Sequence, residues 1–283
     1  MSSILKMREV FNELTPSEKK IANYIFNNSE NVSKLSTGEL AEVSKTSAAS
    51  ITRFARKLGF DGFQELKIDI AKSVAINGNT GDDSVYEAVR IHDNTREIIQ
   101  KIALGNIKAI EETVSVIDEE AISKSITAIN MAKKINIYGV GASGLVGLDL
   151  QYKLMRINKQ ANMFLDSHTQ LASAIHIKKG DVAIGISHSG RTLEVYKALE
   201  AAKKQGAITI SITKYGKHPI SDLADINIYT ASVEKHLRTG AIASRIAQLT
   251  VVDILFIGVA KDNFGEITRY LQHTREIVDD LKL

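Results

Sequence analysis

The spacing of apolar residues changes character along the chain. From Ser3 to about Val74 every apolar stretch recurs at helical spacing, with clear start signals and no strand-like alternation. Thr15-Pro16-Ser17-Glu18 is a capping box with proline at the first helical position, and it opens a helix through Ile21, Ala22, Ile25 and Phe26. Ser36-Thr37-Gly38-Glu39 is a second such box, predicting a short helix with Leu40, Ala41 and Val43. Ser47 is placed to cap a third helix, Ala48 to Leu58, with Ile51, Phe54, Ala55 and Leu58 on its apolar face and Gly59 as its left-handed terminator. A fourth helix runs from Phe63 to about Val74. Residues 1–76 therefore predict a small all-helical domain.

Ile76 to Asp83 is polar and glycine-rich, the composition of a linker, and a long helix is expected from about Ser84 to Ser115. Residues 77–117 are assigned to this linker and connecting helix. Beyond Asp118, helical patterns alternate with short β-branched runs at Ile135–Val140, Asn162–Leu165, Val182–Ser187, Ile208–Thr213 and Ile226–Thr230. These runs are continuous rather than alternating, as in strands buried on both faces. The fold class is α/β: a doubly wound parallel-sheet domain over 118–283 behind the helical one. Two helices, about Ala241–Lys261 and Phe264–Lys282, finish it.

Composition narrows the chemistry. The chain has 283 residues, with 36 Lys+Arg against 33 Asp+Glu and no cysteine. That excludes disulfide scaffolds, thiolate-held metals and thiol nucleophiles. Lys6, Arg8, Glu9 and Glu13 interrupt the amino-terminal apolar residues, which predicts no signal peptide, and the run Ile254–Ala260 is too short to span a bilayer. A cytoplasmic location is expected. The net charge of +3 is too mild to imply nucleic-acid binding by itself.

A local cluster does more. The helices Leu40–Val43 and Ala48–Leu58, joined by Ser44-Lys45-Thr46-Ser47, have the size and turn length of a helix-turn-helix. Ser47, Ala48, Ala49, Thr52, Arg53, Arg56 and Lys57 lie at the start or on the polar face of the second helix. Small residues there allow close approach to a groove, while hydroxyl and guanidinium groups reach bases or phosphates. Between Ser44 and Phe60 stand Lys45, Arg53, Arg56 and Lys57 and no acid. The same pattern also suits an ordinary packed helix pair with a solvated basic face.

Two strand-to-helix turns carry the second candidate site. The first is Gly139-Val140-Gly141-Ala142-Ser143-Gly144, glycine-rich and followed by Leu145, Leu148 and Leu150. Such a turn offers backbone N–H groups and a helix dipole to an anion. Its G-x-G-x-x-G spacing, with Asp166 downstream as a ribose ligand, leaves a dinucleotide reading open. The second turn, Ser187-His188-Ser189-Gly190-Arg191-Thr192, presents three hydroxyls that can converge on one phosphate. Two phosphate turns in one sheet suit a sugar phosphate better than a dinucleotide, although each string also occurs as a plain capped turn.

The string Arg53-Phe54-Ala55-Arg56-Lys57-Leu58-Gly59-Phe60-Asp61-Gly62-Phe63-Gln64-Glu65-Leu66-Lys67 resembles the recognition helix and following helix of RpiR-family bacterial transcriptional regulators. The two turns, with Asp166-Ser167-His168, Ala224-Asp225-Ile226 and Ala243 to Leu249, resemble the sugar isomerase (SIS) domain that forms the effector domain of that family. The resemblance covers nearly the whole chain in the family's domain order. It implies that Ser143, Ser187, Ser189 and Thr192 hold a phosphate and that His168 faces the sugar; Gly141 and Gly190 of the same two turns are counted with them as candidate sugar-phosphate-binding residues. The alanine pair Ala48-Ala49 leaves base-specific hydrogen bonding to few side chains.

Sugar isomerisation needs a general base. In SIS isomerases part of that function sits on the late helix, but Thr239–Val252 holds no acid. Asp253 is the first acid after it, embedded among Val and Ile; Glu194, Glu234 and His236 are the possible substitutes, and Arg245 or Glu234 is placed to close the pocket. The expectation is a non-enzymatic regulator, a repressor that binds operator DNA as a homodimer or tetramer, with an amino-sugar or hexose 6-phosphate as effector and no metal or cofactor. The helices near 84–115 and 241–261 are the candidate dimer interface. The rival expectations are an SIS isomerase with a helical appendage and an NAD(H)-binding redox sensor.

Overall fold

The computed structural model describes residues 3–11, 14–77, 84–86, 89–231, 241–262 and 264–279. The chain divides into two compact units, 1–104 and 105–283. In the first, α1 (Ser3–Glu9), α2 (Pro16–Val32), α3 (Thr37–Val43), α4 (Ala48–Lys57) and α5 (Phe63–Asn77) surround a core of Met7, Ile21, Ile25, Leu40, Ile51, Phe54, Leu66 and Ile70. Both capping boxes form. The Glu18 carboxylate accepts from the Thr15 N–H at 2.8 Å, and the Glu39 carboxylate accepts from the Ser36 N–H at 2.7 Å. Gly59 adopts φ +83°, ending α4 as a glycine can without steric penalty.

The expected helix from Ser84 does not form there. Ser84–Tyr86 (β1) and Val89–Arg90 (β2) pair as a small antiparallel ribbon, and α6 begins only at Thr95, ending at Val116. The local chemistry explains the late start. Asp93 accepts from the Arg90 N–H at 2.7 Å, which folds a turn, and Asn94 and Glu97 form a reciprocal cap at 3.1 and 2.9 Å. Of the expected linker, residues 78–83 lie outside the described residues.

The second unit is a parallel five-stranded sheet. After α7 (Glu119–Met131) come β3 (Ile135–Gly139), α8 (Ala142–Arg156), β4 (Ala161–Met163), α9 (Ser167–Ala174), β5 (Val182–Ser187), α10 (Leu193–Lys204), β6 (Ile208–Lys214), α11 (Pro219–Leu223) and β7 (Ile226–Thr230). The strand order is β4-β3-β5-β6-β7, and every pair is parallel. α12 (Ile242–Lys261) and α13 (Phe264–Asp279) follow.

Ile137, Ile184, Ile186, Ile210 and Ile212 pack with Val146, Leu150, Val251 and Leu255, while Tyr138 and Ala183 pack with Val195 and Leu199. Burial on both faces is why the strands read as continuous apolar runs. By length and composition α12 could cross a membrane, but Ala247, Val251, Val252, Leu255 and Val259 are fully buried, so it is a core helix. Asp225 is used at the other ends of the strands from the candidate site: it accepts from the Thr209 N–H at 2.9 Å and its hydroxyl at 2.7 Å, and pairs with Lys203.

Gly185 marks how closely α10 lies on the sheet. A Cβ there would stand 2.3 Å from Leu199 Cδ1 and 3.1 Å from Val195 Cγ1, both on buried side chains. Gly185→Ala should lower the unfolding free energy by about 1–3 kcal/mol, as overpacking does, measured by urea denaturation. Gly62→Ala, where nothing lies within 4 Å, should cost far less.

Candidate functional site

The strand order brings the two phosphate-type turns together. The chain leaves β3 for β4 on one side and returns to β5 on the other, so β3 and β5 are neighbours, with Gly139 in register with Ile186. Their carboxyl-terminal turns therefore flank the crevice at which open α/β sheets bind ligands.

In the first turn, Gly141 takes φ +59° as the N-cap of α8. Gly139 has no room for a side chain, since a Cβ would lie 2.8 Å from the Ser143 carbonyl oxygen. Gln170, buried on α9, braces this turn by donating to the Gly139 carbonyl at 2.8 Å and accepting from the Gly139 N–H at 3.1 Å. Ser143 is buried, with its hydroxyl against the Gln248 amide of α12. Gln170 had no signal in the sequence, and Gln248 stood within the Ala243–Leu249 string without a role, because a buried amide leaves no local pattern.

In the second turn, Ser187 and Thr192 hydroxyls lie 2.8 Å apart, and Ser189 Oγ accepts from the Arg191 N–H at 3.2 Å. Thr192 is the N-cap of α10, yet its side chain makes no capping bond. The end of β6 and the first turn of α11 clamp this turn: the Lys214 N–H donates to the His188 carbonyl at 3.1 Å, and the Ile220 N–H donates to the Gly190 carbonyl at 3.2 Å. Gly190 has φ +64°, and a Cβ would come within 2.4 Å of the His218 ring. That ring is buried and held by a 2.8 Å bond to the Lys214 carbonyl oxygen.

Gly141, Ser143, Ser187, Ser189, Gly190 and Thr192 are thus gathered at adjacent turns. His168 is exposed in the first turn of α9, at the same end of the sheet, and among the described residues no hydrogen bond ties it to either turn. Asp166 is the α9 N-cap, accepting from the Thr169 N–H and hydroxyl at 2.8 Å each. Those two bonds hold its carboxyl below the usual range. It is therefore occupied by its own helix. Asp253 is exposed and paired with Lys153, and Glu194 is exposed on the first turn of α10. Arg245 is half-buried in the first turn of α12, while Glu234 and His236 lie outside the described residues.

In the first unit, α3 and α4 form the helix pair. Lys45 takes φ +52° in the turn, and the Ser44 hydroxyl donates to the Leu40 carbonyl at 2.6 Å. Ser47 caps α4 through the Ser50 N–H at 3.2 Å. Ile51, Phe54 and Ala55 are buried, whereas Ser47, Ala48, Ala49, Arg53, Arg56 and Lys57 are exposed and Thr52 is half-buried. Arg53 reaches Ser50 Oγ at 3.4 Å, and Arg56 reaches the Asp61 carbonyl at 3.3 Å. The segment's lack of acids does not carry into space, because Glu18 of α2 pairs with Lys57 at 2.9 Å. Partial burial raises the Glu18 pKa, but bonds from Lys57 and from the Thr15 backbone and hydroxyl outweigh it, leaving it below its ordinary value.

Comparison with known proteins agrees with this geometry. A helix-turn-helix domain of the rpiR family matches residues 1–77, and a SIS domain matches residues 128–258. The chain is 47% identical over 284 residues to an uncharacterized HTH-type transcriptional regulator of Caldanaerobacter subterraneus subsp. tengcongensis, covering 100% of this chain and 99% of that one. It is 33% identical over 272 residues to the uncharacterized HTH-type transcriptional regulator YbbH of Bacillus subtilis, covering 96% of this chain and 95% of that one. Among solved structures, the Vibrio vulnificus NanR protein complexed with ManNAc-6P aligns with TM-score 0.63 and 28% identity over 99% of each chain. The sugar isomerase domain of an RpiR transcription factor from Sphaerobacter thermophilus shares the fold, with TM-score 0.58 and 19% identity over 63% of this chain and 98% of that one. A helix-turn-helix unit followed by a SIS sheet defines a two-part transcriptional regulator. The chain belongs to the RpiR family of such regulators.

Gly190→Ala should lower stability by about 2–4 kcal/mol, from left-handed strain plus collision with His218, measured by chemical denaturation. The Glu18–Lys57 pair gives a pH dependence of definite sign. The folded pKa of Glu18 lies below its unfolded value near 4.5, so its contribution is present above that pH and is lost as pH falls through the folded value. The stability difference between the wild type and Glu18→Gln, from denaturation curves between pH 7 and pH 3, should shrink below about pH 4.5.

Proposed function

We propose that the protein is a cytoplasmic transcriptional repressor whose affinity for operator DNA is set by a sugar phosphate. Residues 118–283 form the effector domain, 1–76 the DNA reader and 77–117 the connection between them. One observation carries the effector half of this reading. Two anion-suited turns stand side by side at the strand-order reversal, with Ser143, Ser187, Ser189 and Thr192 supplying hydroxyls and Gly141 and Gly190 the backbone conformation. A phosphoryl group accepts several hydrogen bonds at once, and helix N-termini favour its charge. His168, at the same sheet end, faces the sugar.

The chemical class follows from the fit and is supported by the ManNAc-6P complex of NanR, whose chain aligns end to end with this one. We assign an amino-sugar or hexose 6-phosphate. Catalysis is not part of the proposal. What α12 presents to Ser143 is the amide of Gln248, which takes up no proton at neutral pH, and Asp253 is engaged with Lys153 on the exterior.

On DNA, α4 enters the major groove. Ser47, Ala48 and Ala49 permit close approach, Thr52 and Arg53 read base edges, and Arg56 and Lys57 meet phosphates. A single short recognition helix gives little specificity, so the protein acts as a dimer on half-sites about one helical turn apart. For the effector to release DNA, it must bind one arrangement of the dimer more tightly than another.

The test is a fluorescence-anisotropy titration of the full chain on DNA selected from a random duplex library, with and without ManNAc-6P. Arg53→Ala should weaken the selected sequence by about tenfold to a hundredfold while leaving phosphosugar affinity unchanged. Ser189→Ala should weaken phosphosugar binding by about tenfold or more while leaving DNA affinity unchanged. Loss of ligand affinity in Arg53→Ala, or unchanged ligand affinity in Ser189→Ala, would contradict the division of labour.

A further inference from the structure

The contact between Ser143 and Gln248 has a particular chemistry. Both residues are buried, at 5% and 1% exposure, and they come from different helices. Ser143 Oγ lies 3.3 Å from Gln248 Oε1 and 3.2 Å from Nε2. A serine hydroxyl carries one proton and two lone pairs, whereas a carboxamide presents an acceptor and a donor on separate atoms. With both amide atoms in reach of one oxygen, two hydrogen arrangements are available. In one, Ser143 donates to Oε1. In the other, Nε2 donates to Ser143, and the hydroxyl proton is released to a different acceptor. Passing between them needs rotation of the O–H and a small tilt of the amide, with no movement of either helix. In the second arrangement Ser143 offers its proton beside the N-terminus of α8, where the helix dipole also favours an anion.

We propose that Gln248 is the positioning residue of the effector site, satisfying the buried Ser143 hydroxyl whether or not that hydroxyl donates to a phosphoryl oxygen. This rests on the phosphate reading of the two turns. The amide is the group that suits both arrangements. A carboxylate at 248 could only accept, holding the Ser143 proton and placing negative charge beside a bound phosphate. A thioether would fill the space without a strong donor, so Ser143 would lose its partner on donating to the ligand. Gln248 and its helix neighbours Ala247, Val251 and Val252 are all buried, so the amide is kept out of bulk solvent.

The experiment is isothermal titration of the full-length protein with ManNAc-6P, glucosamine 6-phosphate and inorganic phosphate, with the melting temperature of every variant recorded. Q248M should bind the preferred phosphosugar about tenfold more weakly than wild type, and Q248E about a hundredfold more weakly. In a Ser143→Ala background, which itself weakens binding, Q248M should cost less than about twofold, because its effect runs through Ser143. A purely structural role predicts instead that the Q248M loss persists undiminished beside Ser143→Ala, and that result would overturn the proposal. Should Q248E fail to fold, the Ser143→Ala and Q248M cycle decides alone. If wild type binds and Ser189→Ala weakens it, yet Q248M and Q248E bind like wild type, Gln248 has no such role and the phosphate site stands. If wild type binds none of the three probes, the phosphate reading falls and this inference with it.

Discussion

The parallel pairing of β3 with β5 is the constraint on which the candidate site depends. Because β4 is laid on one side of β3 and the chain then crosses back to β5, two strand-to-helix turns that are 46 residues apart between Gly141 and Ser187 end up side by side. Neither turn alone distinguishes a phosphate site from a capped loop. Together they place two helix N-termini and several hydroxyls at one crevice. The tight geometry has consequences for sequence: Gly139 lies against the Ser143 carbonyl and Gly190 against His218, so neither position admits a side chain.

The surroundings of the crevice come from elements remote in sequence. Gln170 fixes the first turn from α9, Gln248 meets Ser143 from α12, and Lys214 at the end of β6 and His218 at the start of α11 hold the second turn. α12 follows β7 in the chain, and the end of β7 is tied to α6, where the Thr113 hydroxyl donates to the Ala231 carbonyl at 3.1 Å and accepts from its N–H. α6 in turn spans the division between the two units. Regulation requires that the ligand's affinity differ between conformations.

Much of the fold was legible because its signals are local. Thr15-Pro16-Ser17-Glu18 and Ser36 to Glu39 specify helix starts through bonds made within four residues, and both formed. β5 and β7 began and ended as their β-branched runs indicated, since burial on both faces leaves an unbroken apolar string. Ser84 to Asn94 was misread as helix because the apolar spacing there is compatible with one. What decides its structure is Asp93 capturing the Arg90 N–H and Asn94 restarting the chain as a cap. The hydroxyls of the second turn were visible as a string, but Gln170, Gln248 and His218 were not marked as site supports. Their importance lies in contacts between elements more than twenty residues apart, which no periodicity records. Lys57 shows the same limit in reverse: its segment holds no acid, and α2 supplies one.

The central claim is that the crevice between the two turns recognises a phosphoryl group on a sugar. The most direct measurement is a thermal-shift series on the full-length protein with sugar phosphates, the corresponding unphosphorylated sugars and NAD(H). A ligand bound only by the folded state must raise the melting temperature. The account predicts a rise with at least one phosphosugar that its parent sugar does not produce. A rise with NAD(H) and none with any phosphosugar would contradict it and assign the glycine-rich turn to a dinucleotide.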